Sequence, residues 1–158
     1  MPTAPRRAGR SCTLLSVDLV CVDPERVRHI WPWAKRLINA AITKTDLCST
    51  KDIEHEVLAG RHLLWLAWDR SLEADSAIAA AATTRLTDTG NRKTCEIVAC
   101  GGSDRDKWLP LLKQIEDYAM NEGCSSTRII GRVGWERVLD GYRREYVILE
   151  KRLGRNEH

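Results

Sequence analysis

The sequence predicts a mixed α/β (α+β) domain in which a twisted, largely antiparallel sheet is flanked by helices. Three observations predict it. Short segments rich in valine, leucine and isoleucine are separated by turn residues, as strands are. Two longer segments repeat apolar residues every three or four positions, which is the spacing of one helix face. With 158 residues, 43% of them hydrophobic, the chain can build one core but not two.

The first two elements are a strand and a helix. Residues 11–22 are rich in valine and leucine, and Asp23-Pro24 ends them as a helix N-cap followed by a first-turn proline. Over residues 24–42 the apolar positions recur at helical spacing. Pro32 is expected to kink or restart this helix, because proline cannot donate the backbone hydrogen bond.

A short helix and three strands come next. Ser49 or Thr50 can cap the helix, and Gly60 ends it. Residues 62–69, 76–87 and 93–100 then predict three antiparallel strands. The alanine run in the middle segment favours a helix by propensity, but the turn residues at 88–91, Asp-Thr-Gly-Asn, indicate a hairpin.

The clearest helix covers residues 108–119, where apolar residues lie at i, i+3, i+4 and i+7. Pro110 is tolerable in its first turn, and Gly123 stops it. Residues 127–131 predict a short strand, residues 135–139 a helical turn or two, and residues 146–153 a final strand. The predicted element order is β-α-α-β-β-β-α-β-α-β.

Charge and hydropathy limit the partners. The net charge is +3, and the first ten residues hold Arg6, Arg7 and Arg10 without an acidic residue. The rest of the chain is therefore neutral, which argues against a general nucleic-acid binder. No apolar run approaches the length of a membrane span, and no secretory signal is visible. We expect a cytoplasmic, non-membrane protein with a basic tail at 1–10, a single domain at 11–153 and a C-terminal tail at 154–158. The basic tail is either solvated and disordered, or an arm that contacts an acidic partner.

Six cysteines occur without a CxxC spacing, so no metal site is predicted. We expect reduced, mostly buried thiols. The alternatives are cross-links between subunits outside the cell, or a reactive thiol. Cys95 and Cys100 are five residues apart in one predicted strand, so they should face opposite sides of the sheet.

One stretch carries a family likeness. Val98 ends a strand, a loop with glycines and basic residues follows, Leu111-Leu112 opens a helix, and Gly141-Tyr142 precedes the last segment. Over residues 11–153 the chain thereby resembles the GNAT superfamily of acyl-coenzyme-A-dependent N-acyltransferases. The tryptophan-rich segment at 62–69 and the segment at 131–143 further resemble small GNAT-like proteins of alphaproteobacterial phages and prophages.

The resemblance implies that the loop holds acetyl-CoA. The residues that it places at the cofactor are Val98, Cys100, Ser103, Arg105 and Lys107. Asp104 and Asp106 stand where the family has glycines, and their carboxylates would repel a pyrophosphate. Arg105 and Lys107 would offset part of this repulsion. The alternative is that Ser103 and the two aspartates simply cap the following helix.

For catalysis, the resemblance implies Glu96 as the general base. We place Glu96 on the same strand face as Val98 and Cys100. The alternative is a solvent-side carboxylate, or one paired across strands. A backbone N–H near Val98 or Ala99 is expected to bind the thioester oxygen. The family often has a tyrosine that acts as the general acid, and Arg137 stands at its position. The general acid is therefore unassigned in this chain.

Two functions follow from these observations. The first is an acyl-CoA-dependent N-acyltransferase that moves an acetyl group to an unknown amine. The alternative is a non-catalytic GNAT-like protein, a structural or accessory component of a phage or virion that binds a protein partner. The first predicts a cytoplasmic enzyme. The second predicts a virion-associated protein and a homo-oligomer or larger assembly.

Overall fold

The computed structural model describes residues 16–154, apart from the side chains of residues 74 and 75. The predictions for the basic tail at 1–10, for Cys12 and for most of the C-terminal tail lie outside the described residues. Within residues 16–154, no helix has the length and apolar character needed to cross a lipid bilayer.

A single five-stranded sheet forms the centre of the fold. Its strands lie in the order β1-β2-β3-β4-β5, with the four pairs of neighbours antiparallel except for β4 and β5, which run parallel. The predicted mixed, largely antiparallel sheet is therefore confirmed. The strand bounds are β1 Val17–Cys21, β2 Leu63–Asp69, β3 Ile78–Asp88, β4 Lys93–Gly102 and β5 Ser126–Ile129.

Helices α1 (Pro24–Ile42) and α2 (Thr50–Leu58) cover one face of the sheet. The side chain of Asp23 accepts a hydrogen bond from the Glu25 N–H at 3.1 Å, and α1 continues through Pro32 without a break. The hydroxyl of Ser49 caps α2 through the Asp52 N–H at 3.1 Å. Small side chains on the strands let α1 approach closely. The core on this face contains Val27, Trp31, Ala34, Ile38, Ile53, Val57, Leu64, Leu66, Ala81 and Ala99.

The opposite face is covered by α3 (Arg105–Trp108) and α4 (Leu112–Asn121). The prediction of one continuous helix over 108–119 is wrong, because a 3-10 turn at Leu109–Leu111 separates the two helices. Pro110 lies in that turn and has no N–H to donate. Ile115 and Ala119 of α4 then pack on Trp65 and Cys95 of the sheet.

A β-bulge interrupts the pairing of β3 with β4. Thr83 lies opposite Ala99 and Thr84 opposite Ile97, so Val98 is an extra residue on β4. One extra residue exchanges the faces of all side chains that follow it. Cys95 and Cys100 consequently pack against the same core on the α4 side. The prediction that they face opposite sides is wrong for this reason.

Residues 146–153, which we call the C-terminal arm, form no strand in the described part of the chain. The prediction of a final strand is therefore wrong for the single chain. The arm has the apolar composition of a strand, but no neighbouring strand is hydrogen-bonded to it. Its large apolar side chains are exposed.

Candidate active site

A cavity opens where β4 and β5 diverge. The two strands pair only from Thr94 and Ser126 to Ile97 and Ile129. Beyond that point β4 continues toward Gly102, while β5 has ended. The resulting cavity has a volume of about 630 Å³ and reaches from the end of α1 to the turn between α3 and α4.

Most of the lining is apolar. The lining includes Val98 and Cys100 of β4, Ile129 of β5, and Trp135 and Leu139 from the chain beyond it. The charged lining residues are all cations. They are Lys44, Arg105 and Arg132, and no carboxylate lines the cavity within residues 16–154. An extended apolar chain with an anionic end is the kind of ligand that such a lining fits.

The structure brings together four of the five predicted cofactor residues. Val98, Cys100, Ser103 and Arg105 line the cavity. Lys107 lies outside the lining, and its ammonium is 3.6 Å from the Asp104 carboxylate. Sequence reasoning missed Lys44 and Arg132, because they belong to segments far along the chain that only the fold brings to the cavity.

The loop from β4 to α3 is held by Trp108. Its indole N–H donates to the Ser103 carbonyl at 2.9 Å, and its ring lies 6.3 Å from that of Trp135. The predicted capping role is only partly realised. Asp104 occupies the N-cap position of α3, but its side chain makes no capping bond in the described part of the chain. Its backbone is left-handed, with φ of 50°, a region that glycine adopts more readily.

Glu96 lies at the centre of a row of charges on the α1 and α2 side of the sheet. It is opposite Arg85 on β3 and Arg128 on β5. Its carboxylate accepts a hydrogen bond from Arg85 at 2.7 Å and is 4.0 Å from the Arg128 guanidinium. Glu96 is 3% exposed and does not line the cavity. This geometry favours the cross-strand alternative, and the role of Glu96 as a base stays a prediction.

Glu96 is predicted to share a strand face with Val98 and Cys100. The prediction is correct for Val98 and wrong for Cys100. Val98 packs against the core under α1, whereas Cys100 packs on the α4 side. The bulge at Val98 separates the two. Burial raises the pKa of the Cys100 thiol to about 12 and that of Cys95 to about 11, so both stay protonated at neutral pH. Neither is therefore a candidate nucleophile.

His62 directly precedes β2 and is buried beside this charged row. Its Nδ1 has no hydrogen-bond partner among the described residues. Burial lowers the pKa of the imidazole from its usual 6.5, and the neighbouring Arg85 lowers it further, against an opposing effect of Glu56 and Glu96. The neutral imidazole is therefore the form that the fold accommodates.

This pKa predicts a loss of stability on acidification. In the unfolded chain His62 takes up a proton near pH 6.5, whereas in the folded protein it resists protonation until lower pH. Neutral His62 therefore makes its full contribution to the free energy of unfolding above pH 6.5, and this contribution decreases as the pH falls below 6.5. Urea unfolding at pH 7.5 and 5.5 should show a smaller drop in the free energy of unfolding for His62→Gln than for the wild type. The exposed His55→Gln variant serves as the control and should behave as the wild type. Equal drops in all three proteins would contradict the prediction.

Within residues 16–154, no group of three or more His, Cys, Asp or Glu side chains is arranged to hold a metal ion. The five cysteines in this range are free. The cavity between the two diverging strands, with its apolar lining and three cations, is therefore the candidate ligand site.

Comparison with solved structures identifies the fold. No protein-family model and no curated protein sequence matches the chain. The aminoglycoside acetyltransferase meta-AAC0020, from an uncultured soil metagenomic sample and solved with sisomicin, matches with a TM-score of 0.63 and 8% identity, over 88% of this chain and 97% of that one. The tetramutant of the BH1408 protein from Bacillus halodurans matches with a TM-score of 0.61 and 13% identity, over 86% and 99%.

A GNAT family acetyltransferase of Staphylococcus aureus matches with a TM-score of 0.55 and 10% identity, over 87% of this chain and 98% of that one. The chain therefore has the fold of the GNAT acetyltransferases. The narrower resemblance to phage and prophage proteins stays a prediction.

Proposed function

We propose that the protein transfers an acetyl group from acetyl-CoA to an amine. One observation carries the proposal. The cavity between β4 and β5 has an apolar lining, and its charged lining residues in the described chain are three cations. The acyl and pantetheine part of acetyl-CoA needs an apolar slot, and its phosphates need cations. The residues present therefore fit acetyl-CoA.

The chain's own residues divide into two roles. Arg105, Lys44 and Arg132 are the candidates for holding the phosphates. Near the diverging point, the bulge disrupts the backbone ladder at Val98. The N–H groups of Val98 and Ala99 are therefore the candidate donors to the thioester oxygen. Bound there, acetyl-CoA would supply an activated acetyl group for attack by the amine.

The placement of the two aspartates that depart from the family pattern is compatible with the proposal. Asp104 and Asp106 lie outside the cavity lining, whereas Arg105 between them is part of it. The loop therefore presents its cation to the cavity rather than its carboxylates. Their charge still lowers the local positive potential.

Titration calorimetry of the reduced protein with acetyl-CoA tests the proposal. The Asp104→Gly variant tests whether the loop carboxylate weakens binding. We expect micromolar binding by the wild type. Asp104→Gly should bind about fivefold more tightly, since it removes one nearby negative charge. It should also raise the free energy of unfolding by about 0.5 kcal/mol, because the relief of left-handed strain exceeds the entropy cost of glycine.

Two further variants test whether the cavity cations bind acetyl-CoA. Arg105→Ala should weaken acetyl-CoA binding by about tenfold, the effect of losing one charge-assisted contact. Arg26→Ala, an exposed arginine at the start of α1, is the matched control and should bind as the wild type. The absence of heat with millimolar acetyl-CoA would overturn the proposal. The non-catalytic, partner-binding alternative would then lead.

A further inference from the structure

The sheet ends at β5, and the outer edge of that strand has no hydrogen-bonded neighbour within residues 16–154. An open strand edge presents unpaired N–H and C=O groups and accepts another strand readily. The chain just beyond β5 is also apolar and exposed, since Ile130 is 42% and Val133 is 63% exposed. This strand edge is therefore unpaired and lies next to exposed apolar residues.

The C-terminal arm has the complementary composition. It opens with four consecutive large apolar residues, Tyr146, Val147, Ile148 and Leu149, each at least 66% exposed, and Leu149 is 91% exposed. In an extended chain, consecutive residues point to opposite faces. Four in a row make both faces apolar, which is typical of a strand that is covered on both faces. Monomeric proteins rarely expose such a contiguous patch.

Side-chain contacts place the start of the arm beside β5. The hydroxyl of Tyr142, four residues before the arm, is hydrogen-bonded to Thr127 at 2.7 Å and to Glu116 at 3.0 Å, which holds this segment against β5 and α4. The guanidinium of Arg128 lies over the Tyr146 ring at 5.4 Å. From there the arm continues with exposed residues and makes no backbone hydrogen bond to the described chain.

We propose that the C-terminal arm of one copy adds as a strand to the β5 edge of a second copy, and the reverse, in a twofold dimer. Within the described residues each copy carries two open strand edges, those of β1 and β5, and one unpaired arm. The arm starts beside the β5 edge, where Arg128 lies over the Tyr146 ring. A reciprocal exchange therefore satisfies the β5 edge and the arm at once and closes the assembly at two copies. Main-chain hydrogen bonds to the edge would hold the arm, and its apolar side chains would cover Ile130 and Val133.

Light scattering of the full chain in solution tests the dimer. We expect a mass about twice 17.9 kDa for the wild type. Leu149→Asp should weaken dimerisation by about 30-fold for each arm, the effect of losing one well-buried anchor side chain. Met120→Asp changes an apolar residue on α4 that is also exposed, at 67%, and it should leave the dimer intact. A monomeric wild type, or a dimer that Leu149→Asp leaves unchanged, would overturn the proposal.

Crosslinking then identifies the occupant of the edge. A photoreactive benzoylphenylalanine at position 148, in mixed light and heavy chains, should crosslink to residues 126–130 of the other chain. Crosslinks within one chain, or to residues 1–15, would overturn the exchange. The readouts are mass and crosslink position, which do not depend on acetyl-CoA binding. The experiment therefore tests the dimer independently of the proposed acetyl transfer.

Discussion

Gly101→Ala is expected to lower the free energy of unfolding by about 3 kcal/mol, which for a chain of this size lowers Tm by about 10 °C. A Cβ at position 101 would lie 2.3 Å from the carbonyl oxygen of Leu37 and 3.0 Å from the Cβ of Ala41. Both atoms belong to α1, and a backbone carbonyl cannot rotate away as a flexible side chain does. Helix α1 would have to move away from the sheet.

Gly134→Ala is the matched control, because a Cβ at Gly134 would meet nothing within 4 Å. Its free energy of unfolding should stay within about 0.5 kcal/mol of the wild type. Urea denaturation of both variants measures the difference. Equal stability of Gly101→Ala and Gly134→Ala would show that α1 does not pack on β4 as closely as described.

This glycine also shows how a correct sequence pattern can have a different cause. The resemblance assigns the loop that contains this glycine to cofactor binding. In the structure, Gly101 is required by α1 on one side, and a Cβ at Gly102 would lie 2.4 Å from the Ala79 carbonyl oxygen. The sequence indicates where a small residue is needed. It does not say which neighbour requires it, because that neighbour is distant along the chain.

The elements with strong local signals were predictable. Helix α1 covers the predicted residues 24–42, since an N-cap, a first-turn proline and helical periodicity all agree. The alanine-rich strand β3 was also predictable, because the turn at residues 88–91 outweighs alanine's preference for helix. Local residues determine these features, so the sequence alone predicts them.

The site depends on features that no local pattern encodes. The bulge at Val98 follows from the pairing of Thr83 and Thr84 with β4, and it sends Cys100 to the face opposite Val98. The cations Lys44 and Arg132 reach the cavity only through the fold. The arm has a strand's composition, but a strand needs a neighbour, and the single chain does not supply one. These features depend on tertiary or intermolecular pairing.

Glu96→Ala is expected to lower the free energy of unfolding by about 3 kcal/mol, at the lower end for a broken buried ion pair. The substitution leaves a cavity at a position that is 3% exposed and removes the acceptor of the 2.7 Å bond from Arg85. The side chains of Arg85 and Arg128 are 44% and 36% exposed. They can turn to water, which limits the loss. Glu96→Gln keeps the volume and one acceptor, so it should cost less.

A double-mutant cycle of Glu96→Ala with Arg85→Ala separates the ion pair from the cavity. We expect a coupling energy of about 1 kcal/mol or more, because the two groups are in contact. Acetyl-CoA affinity should change little in Glu96→Ala, since Glu96 lies outside the cavity lining. A catalytic base would give a different result. Glu96→Gln would then lower turnover by about 100-fold or more at unchanged stability and affinity. The cross-strand geometry predicts that stability, rather than turnover, responds most to this carboxylate.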